Sequence, residues 1–264
     1  MPTDTYYRDH WIDIDEERLD TYEGMFEWHP RMAPLLVPAE LQAGLRVLDY
    51  GCGPGGLSVE IGRQVGASGA VIGVDLNTDM VARAQARALK DGLANTVTFQ
   101  QSSDARLPFP DDSFDRVICK SVLEYVSDPG EVLAEFHRVT RPGGKVHVID
   151  SDWGMLVAEP IADSVLDELF SAASMAYKTP RIGRKLYGLF RAAGFTDIAV
   201  KILSAADTTG VRAPIIRHMV GYARDFEALP SEQLDAVLAT IEAAIDKGNY
   251  ILVLPQFLVT GQVE

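Results

Sequence analysis

The stretch that decides the fold is "RVLDYGCGPGG", residues 46–56, in which a short apolar run ends in an acid and a glycine-rich loop follows. Gly51, Gly53 and Gly56 have the spacing G-x-G-x-x-G. Glycine adopts positive φ and lets backbone N–H groups approach a ligand at the N-terminus of the next helix. The loop is therefore predicted to bind a ligand, but the pattern alone does not say whether that ligand is a dinucleotide.

The chain on either side of this loop alternates strands with helices. Apolar or alternating runs predict strands, and the segments between them have helical spacing. Strands that alternate with helices in this way form a parallel sheet with right-handed crossovers. The predicted strands are "RVLDY", "AVIGVD", "TVTFQQ", "SFDRVICK", "KVHVID", "TDIAVKIL" and a final "NYILVLPQFLVTGQ" with Pro255 at a bulge or edge.

The composition excludes some partners. The 264-residue chain has a formal net charge of -14, and ten acids against three arginines in residues 1–43 supply half of it. Nucleic-acid binding requires a basic surface, so we expect neither nucleic acid nor an anionic membrane as partner. The sequence contains no run of about 18 apolar residues, so we expect no membrane span. The two cysteines predict reduced thiols, and we expect a cytoplasmic protein.

Three acids follow three successive predicted strands. Asp49 precedes the glycine loop, where a carboxylate would repel a pyrophosphate but would attract an ammonium or a sulfonium. Asp75 is placed to accept hydrogen bonds from ribose hydroxyls, which suits either kind of ligand. Asp104 is placed to accept from an adenine amino group. Together these acids favour a cationic nucleoside over a dinucleotide.

The motifs "VLDYGCGPGG", "VIGVD", "DARLPFPDDSFDRVIC" and "RVTRPGGKVHVID" occur in this order. They resemble the successive motifs of class I S-adenosylmethionine-dependent methyltransferases, in the small-molecule branch that includes the ubiquinone and menaquinone methyltransferases. The resemblance implies a Rossmann-like α/β fold with seven mostly parallel strands, helices on both faces and an antiparallel last strand. It also implies S-adenosyl-L-methionine as cofactor and S-adenosyl-L-homocysteine as product.

The resemblance assigns a cofactor role to residues at matching positions. Tyr50 and Tyr125 depart from the family pattern, because Tyr50 replaces a small aliphatic residue and Tyr125 stands where relatives often have histidine. The expected cofactor-binding residues are Asp49, Gly51, Cys52, Gly53, Gly55, Asp75, Leu76, Met80, Asp104, Ala105, Lys120 and Ser121.

The remaining segments are predicted to cover the acceptor. Residues 1–43 are expected to form a helical lid, and residues 44–264 the cofactor-binding domain with helical insertions at about 153–182 and 208–248. The candidate general bases are His10, His29, His218 and Tyr222, and the candidate substrate residues are Tyr22, Trp28, Tyr125 and Trp153. No cluster has zinc-like spacing, so no metal is expected.

The expected function is methyl transfer to a small hydrophobic or aromatic metabolite, such as a quinone-like compound or an intermediate of natural-product biosynthesis. Three alternatives stay open. The chain could bind the same cofactor and catalyse a cyclisation or elimination, act as a non-catalytic binding protein, or be a nicotinamide enzyme. A homodimer is also left open.

Overall fold

The computed structural model describes residues 4–102 and 106–264. The α-helices are α1 (Tyr6–Asp9), α2 (Glu16–Met25), α3 (Gly56–Val65), α4 (Thr78–Lys90), α5 (Pro129–Val139), α6 (Asp163–Ala173), α7 (Ile182–Ala192), α8 (Pro214–Asp225) and α9 (Ser231–Lys247). The strands are β1 (Arg46–Tyr50), β2 (Ala70–Asp75), β3 (Val97–Gln101), β4 (Phe114–Lys120), β5 (Thr140–Ser151), β6 (Val157–Glu159), β7 (Thr196–Leu203), β8 (Ile251–Val253) and β9 (Gln256–Gln262).

The main sheet has seven strands in the order β3-β2-β1-β4-β5-β9-β7. The first five are parallel, and β9 runs antiparallel to both β5 and β7. The predicted seven-stranded, mostly parallel α/β sheet is therefore confirmed. Because the strand order reverses between β1 and β4, the carboxyl ends of β1, β2 and β4 open a crevice at a topological switch point.

The predicted final strand is wrong as a single element. Residues 251–253 form β8, which pairs with β6 in a separate two-stranded sheet, and residues 256–262 form β9 in the main sheet. Leu254 and Pro255 lie between them. Proline has no backbone N–H to donate to a ladder, so the chain changes sheets at the position that the sequence suggested for a bulge.

The helices around the crevice begin at residues that satisfy their first N–H groups. Asn77 caps α4 by accepting hydrogen bonds from the N–H groups of Asp79 and Met80. Asp128 caps α5 in the same way and is followed by Pro129 at the first helical position. Asparagine and aspartate are favoured caps, and proline suits the first turn of a helix.

Two apolar cores lie on the sheet. One packs α5 and α7 against it around the fully buried Leu48, Val117 and Phe136, and the other packs α3 and α4 around Ile61 and Ile118. Alternate residues of the central strands supply both cores, because successive side chains of a strand point to opposite faces.

A third core holds the insertions together. It joins α6, α8 and α9 to the small sheet around the buried Leu169, Ile216, Leu234 and Leu252. No helix in the described part of the chain combines the length and the apolar character that crossing a bilayer requires.

Candidate functional site

A cavity of about 280 Å³ lies at the carboxyl ends of β1, β2 and β4. The N-terminal segment contributes part of its wall, including Trp11, Phe26 and Trp28. The predicted cofactor residues that line it are Asp49, Gly51, Cys52, Gly53, Asp75, Leu76, Met80, Lys120 and Ser121. Gly55 is not among the lining residues, and Asp104 and Ala105 lie outside the described residues.

The glycine loop passes close to the loop that follows β4. Gly51 has a φ of +71°, and a Cβ built there would lie 2.2 Å from Cγ2 of Val122. The N–H groups of Gly51 and Cys52 both donate to the carbonyl oxygen of Val74, at 2.8 and 3.0 Å. Position 51 therefore requires glycine both for its backbone conformation and for the space.

The third glycine of the pattern has another reason to be glycine. A Cβ on Gly56 would lie 2.5 Å from the carbonyl oxygen of Phe26, so Gly56 lets the N-terminal segment approach the start of α3. A Cβ on Gly55 would lie 2.9 Å from that of Ala84, so Gly55 lets α4 pack closely. The spacing G-x-G-x-x-G here reflects packing as well as ligand access.

Two carboxylates of neighbouring strands, the buried Asp49 and the half-buried Asp75, line the cavity. Asp49 is 1% exposed and accepts a hydrogen bond from Ser58 Oγ at 2.5 Å. Burial raises the pKa of Asp49 to about 7, and the Ser58 hydrogen bond offsets part of this effect. Asp75 accepts from the N–H groups of Gly53 at 2.8 Å and Asn77 at 3.0 Å. Burial raises the pKa of Asp75 as well, so a cationic ligand would stabilise the ionised form of both groups.

Lys120 lies on the cavity wall at the end of β4. Its Nζ lies 3.4 Å from Ser121 Oγ, and in the described part of the chain it forms no ion pair. Burial lowers the pKa of Lys120, although Asp150, Glu124 and Asp49 act in the opposite direction. Ser121 has a φ of +56°, which is uncommon for a residue with a side chain and often marks a functional site.

The N-terminal segment is bonded to the sheet domain beside the cavity. The Asn77 side-chain amide donates to the carbonyl oxygens of Trp11 at 3.0 Å and Ile12 at 3.2 Å. Arg83 of α4 forms ion pairs with three carboxylates of α2, which are Glu16 at 2.5 Å, Asp20 at 2.7 Å and Glu23 at 2.7 Å. These contacts hold α2 against α4 and bring Trp11 and Phe26 to the cavity.

The four candidate substrate residues divide into two pairs. Trp28 and Tyr125 line the cavity. Tyr22 is buried against Trp11, with ring centroids 5.0 Å apart. Trp153 donates its indole N–H to Glu124 and packs on Tyr177. Tyr22 and Trp153 thus support the cavity wall from behind and do not line it.

The four candidate bases lie away from the cavity wall. His29 is exposed, and His218 packs edge-on against Tyr22 with ring centroids 5.6 Å apart. His10 and Tyr222 meet each other: the His10 ring donates from Nδ1 to the Tyr6 carbonyl oxygen at 2.5 Å, and Tyr222 Oη lies 3.4 Å from His10 Nε2. Burial lowers the pKa of His10 to about 4, so the ring is neutral at pH 7.

The sequence interpretation missed two buried acids behind Lys120. Asp150 ends the apolar part of β5 and accepts from the Leu123 N–H at 3.1 Å, and Glu124 is 3% exposed. Burial raises the pKa of Asp150 to about 7 and that of Glu124 well above its usual range. The rule that singled out Asp49 and Asp75, an acid at the end of a predicted strand, also fits Asp150 in "KVHVID".

Comparison with known proteins places the chain in a family. Residues 41–194 match the family model described as "Methyltransferase domain". The chain is 37% identical over 110 residues to the ubiquinone/menaquinone biosynthesis C-methyltransferase UbiE of Marinomonas sp., a stretch that spans 42% of this chain and 44% of that relative. The chain thus spans less than half the length of this curated relative.

Two further similarities extend over more of the chain. An uncharacterised protein of Mycobacterium tuberculosis is 34% identical over 177 residues, which is 63% of each chain. The structure of phosphoethanolamine N-methyltransferase 2 of Haemonchus contortus, solved in complex with S-adenosyl-L-methionine, aligns with a TM-score of 0.64 at 20% identity. That alignment covers 98% of this chain and 60% of the other, and it shows a shared fold.

Proposed function

The chain belongs to the methyltransferase-domain family, and on that premise we propose that it transfers the methyl group of S-adenosyl-L-methionine to a small hydrophobic or aromatic acceptor. The observation that carries the proposal is the cavity in which Asp49 and Asp75, from neighbouring strands, flank a glycine loop. When bound, the cofactor supplies an electrophilic methyl group on a sulfonium, which leaves as the uncharged thioether S-adenosyl-L-homocysteine.

The residues of the cavity fit this cofactor. Asp75 uses its two oxygens to accept from backbone N–H groups, and each oxygen keeps a further lone pair that can accept from a ribose hydroxyl. Leu76 and Met80 supply apolar surface for the adenine ring. Asp49 supplies a buried negative charge for the cationic methionine end, and a cation restores its ionised form.

The N-terminal segment supports an acceptor with an apolar body. Trp11, Phe26 and Trp28 from this segment and Tyr125 from the loop after β4 line the same cavity as the acids. Aromatic walls exclude water, attract a sulfonium through their π-faces and orient a flat acceptor. We propose that residues 1–43 act as a lid and that the insertions at about 153–182 and 208–248 support it from behind.

Positioning is the main task of such a site. Holding an acceptor atom in line with the methyl group contributes roughly 7–11 kcal/mol to lowering the barrier. A general base is required only for an acceptor that must lose a proton. Methyl transfer can therefore proceed by positioning in a cavity whose wall carries none of the four candidate bases.

The test is a calorimetric titration of the protein with S-adenosylmethionine, S-adenosylhomocysteine and NAD. We expect both sulfur ligands to bind and NAD not to bind. Asp75→Asn should weaken binding of both by about 2 kcal/mol, roughly 30-fold, because charge-assisted hydrogen bonds are lost. Asp79→Asn is the matched control, since Asp79 is exposed on the first turn of α4 and does not line the cavity.

The outcomes separate the alternatives. Binding of NAD without the sulfur ligands would contradict the proposal and restore the dinucleotide interpretation of the loop. With binding established, a screen of quinone-like and aromatic acceptors should release S-adenosylhomocysteine in step with product. Conversion of an acceptor without its release would indicate a cyclisation or elimination and would contradict methyl transfer.

A further inference from the structure

Lys120 is a basic residue that lies where the proposed function requires a cationic ligand to bind. It lies on the wall of the cavity with Asp49, Gly51 and Tyr125, at the end of the strand next to β1. The sequence resemblance counted it among the cofactor-binding residues, near the sulfonium and the substrate. A permanent ammonium at this position would repel that sulfonium, so the site demands an explanation for the lysine.

The backbone holds Lys120 firmly at this place. Lys120 pairs with Ile149 of β5, and the N–H of Ser121 donates to the Ile149 carbonyl oxygen at 2.8 Å. Ser121 then turns the chain away with its positive φ. The backbone of Lys120 is therefore fixed at the cavity wall, and its Nζ lies within hydrogen-bond distance of Ser121 Oγ.

We propose that Lys120, as a neutral amine, accepts the proton that the methyl acceptor loses. The inference rests on the proposed function. The bond between the reacting oxygen, nitrogen or carbon of the acceptor and its hydrogen breaks, the proton goes to the Nζ lone pair, and the bonding electrons stay on the acceptor for attack on the methyl group. The ammonium keeps this proton after the products dissociate and releases it to water when the next S-adenosylmethionine binds.

The surroundings of Lys120 suit both forms of the amine. Burial favours the neutral amine and lowers its pKa, and Arg212 acts in the same direction. Asp150, Glu124 and Asp49 act in the opposite direction and favour the ammonium once the proton arrives.

The acceptor class follows from this chemistry. A lysine base serves an acceptor with an acidic hydrogen on or next to its reacting atom, such as a phenol, an enol or an activated C–H group. Trp11 lines the same cavity, and its buried indole N–H has no hydrogen-bond partner among residues 4–102 and 106–264. An oxygen atom on the acceptor would satisfy that donor.

The test measures protons released on ligand binding, by calorimetry in buffers of different ionisation enthalpy between about pH 6 and pH 9. Binding of the sulfonium should expel the proton of Lys120, whereas binding of the neutral thioether should not. We therefore expect wild-type protein to release more protons with S-adenosylmethionine than with S-adenosylhomocysteine. Lys120→Met should reduce that difference, and Lys185→Met, an exposed control on α7, should not.

Asp49 also releases a proton when a cation binds, so its contribution is measured separately. The part of the difference in proton release that depends on Lys120 should persist in Asp49→Asn and vanish in Lys120→Met. Persistence of the full difference in Lys120→Met, or its absence in wild type, would overturn the proposal. Absence of any binding by either sulfur ligand would instead overturn the proposed function, and this inference with it.

Lys120→Arg tests the same idea in a variant that retains the positive charge. Arginine stays protonated at all accessible pH values. We expect Lys120→Arg to bind S-adenosylhomocysteine as wild type does and S-adenosylmethionine about tenfold more weakly, because the cation is now permanent. Equal affinity of Lys120→Arg and wild type for S-adenosylmethionine would show that a cation here does not oppose the sulfonium and would refute the proposal.

Discussion

Substitution of Gly51 by alanine isolates the requirement that the glycine loop places on its first residue. An alanine would have to adopt a φ near +71°, which costs roughly 1–2 kcal/mol for a residue with a Cβ. The Cβ would also lie 2.2 Å from Cγ2 of Val122 and 3.0 Å from its Cγ1. Relief of such an overlap costs about 1–3 kcal/mol. The free energy of unfolding should therefore fall by about 2–5 kcal/mol.

Two further variants separate the torsional cost from the steric cost. Gly92 has a φ of +72°, and a Cβ built there meets nothing within 4 Å, so Gly92→Ala should cost only the torsional part, about 1–2 kcal/mol. The double variant Gly51→Ala with Val122→Ala removes the γ-carbons that overlap. It should be less destabilised than the sum of its single variants by about 1–3 kcal/mol.

The assay is urea denaturation followed by circular dichroism, with the free energy of unfolding extrapolated to zero denaturant. The reasoning would be refuted if Gly51→Ala cost no more than Gly92→Ala. It would equally fail if the Gly51 and Val122 substitutions were additive, since the steric explanation requires that they interact.

Three other predictions concern the N-terminal segment and a buried histidine. Arg83→Ala removes three ion pairs to α2, so we expect about 1–2 kcal/mol lower stability in low salt and a smaller difference at 1 M salt, measured by urea denaturation. Asn77→Asp keeps the α4 cap but loses the amide donors to Trp11 and Ile12, so it should raise acrylamide quenching of tryptophan fluorescence while the helix content by circular dichroism stays unchanged. His147 is buried and its pKa is lowered to about 4, so its neutral form should contribute fully to the free energy of unfolding above about pH 6.5. That contribution should be lost as the pH decreases from about 6.5 to about 4. The variant His147→Gln should have a flatter profile of stability against pH, and an unchanged profile would contradict this prediction.

Much of the cofactor side of the cavity could be predicted from the sequence. Asp49 and Asp75 each end a strand, and parallel strands bring their carboxyl ends to one edge, so the two acids had to lie near each other. Gly51 and Gly53 predicted a loop with positive φ, which both residues have. Asn77 is a residue type favoured at the N-cap, and its capping of α4 depends only on residues within one helical turn.

The acceptor side could not be predicted in the same way. Tyr125 and Trp153 both follow strand ends, yet only Tyr125 lines the cavity, because Trp153 turns back to donate to Glu124. His10 and Tyr222 were separate candidates for a base, and they instead contact each other across 212 residues of sequence. The position of such side chains depends on how the lid and the insertions pack.

The sequence by itself determined the alternation of strands and helices, the glycine loop and the row of acids at the sheet edge. Each of these depends on backbone conformation and side-chain periodicity within about ten residues. Only the tertiary structure decided which aromatic and ionisable groups face the cavity and that Lys120 lies in front of the buried Asp150 and Glu124. Those choices follow from close packing between elements distant in sequence, where burial sets both the direction of a side chain and the protonation state it prefers.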